Sequence, residues 1–171
     1  MQQRPRRVTG FTLIEILVVM VIVGIIVTLA AVNFSRSDTD ALQHEAERLA
    51  LLLESARDEA IAAGAPLAFG RAEQGYGFWK QDADGAWQLL EDNQILRVRQ
   101  LPEAVRVADM RVNLLPLPPD GRVIFTPSGV NAPFTVELRA GEVVRKLNAD
   151  ALGRMTLEVP GLQAGTTTGA S

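Results

Sequence analysis

The feature that most constrains this chain is a long apolar run near its beginning, "FTLIEILVVMVIVGIIVTLAAV", residues 11–32. From Ile16 to Val32 there are 17 residues without a charge, interrupted only by Gly24 and Thr28. As a helix rising about 1.5 Å per residue, that stretch reaches roughly 25 Å, a little short of a hydrocarbon core of about 30 Å. Counting from Phe11 closes the gap but brings in Glu15. A carboxylate at the centre of a spanning helix costs about 2.5–3.5 kcal/mol, and less near its end. Any account of the run must therefore explain Glu15.

Three accounts compete. A secretory signal peptide would place small residues in an A-x-A pattern after the run, and "TLAAVNFS" has no clean match. A plain anchor would use Arg4, Arg6 and Arg7 to hold the N-terminus in the cytoplasm, but leaves Glu15 without a purpose. Cleavage between Gly10 and Phe11 supplies one. The new Phe11 amine, with an ordinary pKa of about 8, would be cationic one helical turn from Glu15. An acid in the first turn also suits the helix dipole. In a bundle of such helices the carboxylate of one chain could meet the amine of the next and set their axial register.

After the run, "NFSRSDTD" marks its polar exit, and an amphipathic pattern follows. Leu42, Ala46, Leu49, Leu53, Ala56 and Ala60 alternate spacings of four and three, with Glu45, Glu47, Arg48, Glu54, Arg57 and Asp58 on other faces. Gly64 and Pro66 are the stop signal. This second helical stretch, residues 33–65, either continues the first or restarts near Ser37. Its stripe is expected to dock on the domain's own sheet, because under four heptads is short for a coiled coil.

From Pro66 the texture changes to strands and turns. "YGFWKQDADGAWQLLE" reads as a hairpin about Asp84-Gly85. In "QILRVRQL" apolar Leu96 and Val98 alternate with Arg97 and Arg99, which predicts a strand with an arginine face. "LLPLPPDG" is expected to be a loop, since its prolines remove ladder donors. "GRVIFT", "PFTVELR", "EVVRKL" and "GRMTLE" are further strands, and Phe134, Val136 and Leu138 share one face of theirs. One long helix followed by antiparallel strands is an α+β domain. Residues 66–160 form its β-rich body and residues 161–171 a tail expected to be disordered.

Little in the chain points to chemistry. It has no cysteine and one histidine, His44, placed off the stripe among charged neighbours and expected to be solvated. Asp82, Asp84, Glu91 and Asp92 lack calcium-loop spacing, and no glycine pattern suits a phosphate. Trp79 and Trp87 are expected in sheet or core, with a partner surface as the alternative. The formal net charge is -3, and loss of the three arginines in residues 1–10 would make it -6, which argues against nucleic acid. No catalytic residue, metal or cofactor is expected.

The stretch "GFTLIEILVVMVIVGII" resembles the signal shared by type IV pilins and type II secretion pseudopilins. That family has a short basic leader ending in Gly, a mature chain starting with Phe, and Glu at its fifth position. The resemblance implies removal of residues 1–10 by a prepilin peptidase after Gly10, methylation of the Phe11 amine, and a role in filament assembly for Glu15. It also implies a pilin-like fold in which residues 11–32 form a transmembrane and filament-core helix. Many pilins carry a proline in this helix; residues 11–65 contain none.

The second half is similar to H-type minor pseudopilins and the related FimT-like minor pilins, through Phe125, Gly129, Val136, Leu138, Gly153 and Arg154. The implied protein is a minor pseudopilin in the bacterial inner membrane, single-pass, with a cytoplasmic N-terminus and a periplasmic domain. Its implied partners are the major and other minor pseudopilins, the prepilin peptidase, the inner-membrane assembly platform and membrane lipid. The alternative is a FimT-like minor pilin serving pilus assembly or DNA uptake, although Met155 stands where a second arginine would help DNA contact. A further alternative, from another class, is a periplasmic binding module on an uncleaved anchor.

Overall fold

In the computed structural model the amphipathic stripe does what its spacing demands. The structure describes residues 13–158, apart from the side chains at 27 and 29–36. One helix, α1 (Leu13–Ala63), opens the described chain. Two compact units divide it, Met1–Ser37 and Asp38–Ser171.

In the first unit the large apolar side chains of α1 from Leu13 to Ile26 are exposed, with the acidic Glu15 among them. Thr28 donates its hydroxyl to the Gly24 carbonyl at 2.8 Å, the usual way for a polar side chain to hide within an apolar helix. Among the described residues no helix is long and apolar enough to cross a membrane. The expected membrane segment, residues 11–32, extends over positions outside those described.

In the second unit Leu42, Ala46, Leu49, Leu53, Ala56 and Ala60 are fully buried. Leu52 joins them, and so does Glu45, which sequence reading put on another face. Glu45 lies beside Ala46 at the stripe's border, where its carboxylate takes a hydrogen bond from Arg48 one turn on. The helix ends at Ala63 because Gly64 adopts φ +61, and its amide donates to the Ile61 carbonyl.

Ten strands follow. They are β1 (Leu67–Ala72), β2 (Gly75–Gln81), β3 (Trp87–Leu89), β4 (Arg99–Gln100), β5 (Val105–Val112), β6 (Leu115–Pro116), β7 (Arg122–Phe125), β8 (Phe134–Ala140), β9 (Val143–Ala149) and β10 (Met155–Glu158). They form two five-stranded sheets rather than one. The first has the order β3-β2-β1-β7 with β4 also on β2; the second runs β10-β9-β8-β5-β6. Every described pairing is antiparallel. The short strands lie at the borders and the long ones in the middle.

The inner faces of both sheets and the α1 stripe share one core. Phe69, Tyr76 and Phe78 pack as an aromatic trio on the first sheet. Phe125 meets Phe134 edge-on at 5.8 Å, which joins β7 of the first sheet to β8 of the second. β8 alternates as its sequence predicts, with Phe134, Val136 and Leu138 buried and Thr135, Glu137 and Arg139 half-buried opposite.

Two expectations need correction. Only Arg99 and Gln100 of the predicted Gln94–Leu101 strand are extended and paired. The Asn93 side-chain oxygen accepts from the amides of Ile95 and Leu96, each at 2.8 Å, and this local turn displaces the ladder. The proline-rich stretch is not wholly a loop either. Leu115 and Pro116 pair with β5 at the sheet border, where a missing donor is tolerated.

Candidate functional site

The residues expected to carry processing, Gly10 and Phe11, lie outside the described residues. Glu15 is described: it stands in the first turn of α1, exposed, in a ring of exposed apolar side chains that includes Leu13, Ile14 and Ile16. A carboxylate so placed faces the unsatisfied amides of the helix start, which favour negative charge.

The second half of the resemblance has a geometric basis that sequence alone did not reveal. Gly129 and Gly153 adopt φ +76 and +74, the left-handed region that disfavours side chains. Both also lie against the end of α1. A Cβ at Gly129 would come within 3.0 Å of the Ile61 Cδ1, and one at Gly153 would collide with the Arg57 side chain. The two glycines let the β7–β8 and β9–β10 connections close over the helix. Phe125, Val136 and Leu138 are buried beneath them.

Both connections are self-bracing. Asn131 accepts the Thr126 amide at 2.7 Å, and the Thr126 hydroxyl donates to the Val130 carbonyl. Asp150 accepts from the amides of Leu152 and Arg154 and from the Arg154 guanidinium. The Arg154 amide, then its side chain and the Leu152 amide, hold the Asp150 carboxyl below its ordinary range. Arg154 is therefore committed to its own turn.

The remaining candidates resolve into structural parts. His44 is exposed on α1. Asp82 is the hinge of the β2–β3 hairpin: one oxygen accepts the amides of Asp84 and Ala86, the other the Gln88 side chain. Trp79 lies over the facing glycines Gly70 and Gly77, and the Arg122 guanidinium stacks on it at 4.6 Å. Its ring is buried within the domain. Trp87 is half-buried on β3. Arg97 is exposed, while Arg99 turns back to donate to the Ile95 carbonyl. Burial, and then the nearby Glu45 charge, push the Tyr76 hydroxyl up to about 12, so it stays protonated at neutral pH. Among the described residues no group of three or more His, Asp or Glu side chains is placed to hold a metal ion.

The family described as type II transport protein GspH matches residues 45–153. The chain belongs to the GspH family. The match begins at buried Glu45 and ends at Gly153, so it takes in the stripe from Ala46 on, β1 to β9 and both helix-contacting glycines. A second family description, the prokaryotic N-terminal methylation motif, matches residues 5–31. Type II secretion system protein H of Aeromonas hydrophila is 27% identical over 175 residues, covering 90% of this chain and 95% of that protein. Two structures of the Vibrio cholerae minor pseudopilin EpsH share the fold. One has a TM-score of 0.60 at 18% identity, covering 71% of this chain and 98% of that one. The other has 0.57 at 20%, covering 70% and 97%. This GspH-family chain thus carries the pseudopilin fold, with α1 packed on antiparallel sheets.

Proposed function

We propose that this chain is a minor pseudopilin of a type II secretion system, a structural subunit of the periplasmic filament that drives export of folded proteins across the outer membrane. The observation that carries the reading is the presence, on one chain, of a methylation motif over residues 5–31 and the GspH match over residues 45–153. The relative from Aeromonas hydrophila, matched over nearly its whole length, supports the same assignment.

In this reading a prepilin peptidase removes residues 1–10 after Gly10 and methylates the Phe11 amine. The following helix sits in the inner membrane, N-terminus inward, until the assembly platform passes it to the filament. There its apolar sides meet the helices of neighbouring major and minor pseudopilins. Glu15 pairs with the terminal amine of a neighbour. That pairing fixes the axial register, because an unpaired charge in a dry helical core is strongly unfavourable. The chain itself does no catalysis and serves as a part.

The intact mass of the membrane-extracted protein tests this, from cells with and without a prepilin peptidase. Loss of residues 1–10 and gain of one methyl group, in the peptidase-containing cells alone, is the expected result. An unprocessed chain in both would overturn the reading.

A further inference from the structure

The outward face of the second sheet carries an arrangement that its own stability does not explain. On β5 and β8, Arg106 stands directly opposite Arg139, and Asp109 directly opposite Glu137. Like charges facing each other across an antiparallel pair repel. The register break between Val107 and Asp109 creates the second of these pairs, because it brings Asp109 onto the outer face and Met110 into the core.

The acids nearby are already engaged. Asp109 accepts from Arg111 at 2.6 Å. Glu137 serves both Arg139 at 3.1 Å and Lys146 at 3.6 Å, and Glu158 pairs in register with Lys146 on the far side. Arg106 makes no hydrogen bond or ion pair among the described residues. It stands between two shallow clefts. One, of about 470 Å³, is lined by Arg106, Arg111 and Arg139 with the two engaged acids. The other, of about 640 Å³, adds Arg71 and has Glu73 and Glu103 on its walls.

We propose that Arg106 and Arg139 form a clamp for an acidic side chain presented by a neighbouring protein subunit. The occupant is named by charge complementarity. Arg106 and Arg139 are opposite each other in register and line one cleft, and Arg106 has no partner among the described residues, so N–H donors are at hand there for a carboxylate. The clamp rests on the filament reading above, which supplies the protein neighbour. It lies on a sheet face, distinct from the helix through which the filament core forms.

The test uses the full chain, purified in detergent, with a fluorescein-labelled hexaglutamate peptide as probe and hexalysine as control. Anisotropy at low salt is expected to detect hexaglutamate and not hexalysine. Arg106→Gln is expected to weaken binding roughly threefold to tenfold, and the Arg106→Gln, Arg139→Gln pair to abolish it. Because the facing charges repel, Arg106→Gln is expected to leave the thermal midpoint unchanged or higher. Equal binding by wild type and double variant, no binding by wild type, or a lowered midpoint would overturn the clamp. So would displacement of the peptide by inorganic phosphate at equal charge concentration, which would make it a general anion site. The mass of the same preparation keeps the two readings apart. A processed chain that fails to bind sinks the clamp alone, whereas an unprocessed chain sinks the filament reading.

Discussion

The two stretches of α1 make opposite use of the same kind of residue. In the first, Leu13 is 85% exposed, Leu17 57% and Ile26 60%, and no side of the helix is spared. In the second, Leu42, Leu49 and Leu53 have no exposure at all, while His44, Glu47 and Asp58 face outward. One stretch completes itself by folding; the other is complete only when something else surrounds it. A helix apolar all round is the mark of a buried or membrane setting, and a striped helix that of a domain surface. The second stretch is buried within its own domain, whereas the first leaves its described apolar side chains uncovered.

Substitutions can break or sharpen this contrast. The largest effect is expected at Glu15. Glu15→Leu should abolish crosslinking to the major pseudopilin in cells while membrane insertion, read by fractionation, is kept. Retained crosslinking would mean that the carboxylate has no assembly role. Next comes Leu53→Ala, which should lower unfolding free energy by about 2–5 kcal/mol, read by chemical denaturation, since it opens a cavity under the stripe. Gly153→Ala should cost about 1–3 kcal/mol in the same measurement, because the new side chain must hold a left-handed backbone against Arg57.

A smaller effect concerns acid. The Asp150 carboxyl titrates lower folded than unfolded, so its contribution to stability is present above about 3.9, the ordinary aspartate value. It is lost as pH falls through the depressed folded value. Asp150→Asn should remove that part of the acid dependence, seen by comparing thermal midpoints near neutral pH and in strong acid. The smallest change is expected from Leu17→Ala, which should shift the subunit's unfolding by less than about 0.5 kcal/mol. A shift as large as that of Leu53→Ala would mean that the first stretch also packs within the chain.

The stripe was legible in sequence because a period near 3.6 is a local property, and each of its six residues is buried. Glu45 was misread for the opposite reason. Its charge suggested solvent, but its angular position borders the stripe, and Arg48 one turn away supplies the needed partner. β8 was legible through strict alternation. β4 was not, because Asn93 turns the chain with a side-chain oxygen, a competition that hydrophobic pattern cannot register. Nor could local pattern reveal that β7 crosses to β1 while β5 and β8 pair elsewhere, since such partners lie far apart in the chain. At the candidate site, the motif around Gly10, Phe11 and Glu15 was readable as spacing. The closeness of Gly129 and Gly153 to Ile61 and Arg57 was not; the pattern marked those glycines without giving the reason for them.

The placement of short strands at the sheet borders has a consequence for how such a subunit polymerises. β6 is two residues long and ends in Pro116, β4 is also two, and β3, β7 and β10 are three or four. A sheet margin this brief exposes few free amides and carbonyls for another chain to continue. Growth of the kind that builds amyloid finds little template at these short strands, although β6 covers the outer edge of β5 only at Arg111 and Val112. Pairing between copies through these short strands is thereby disfavoured.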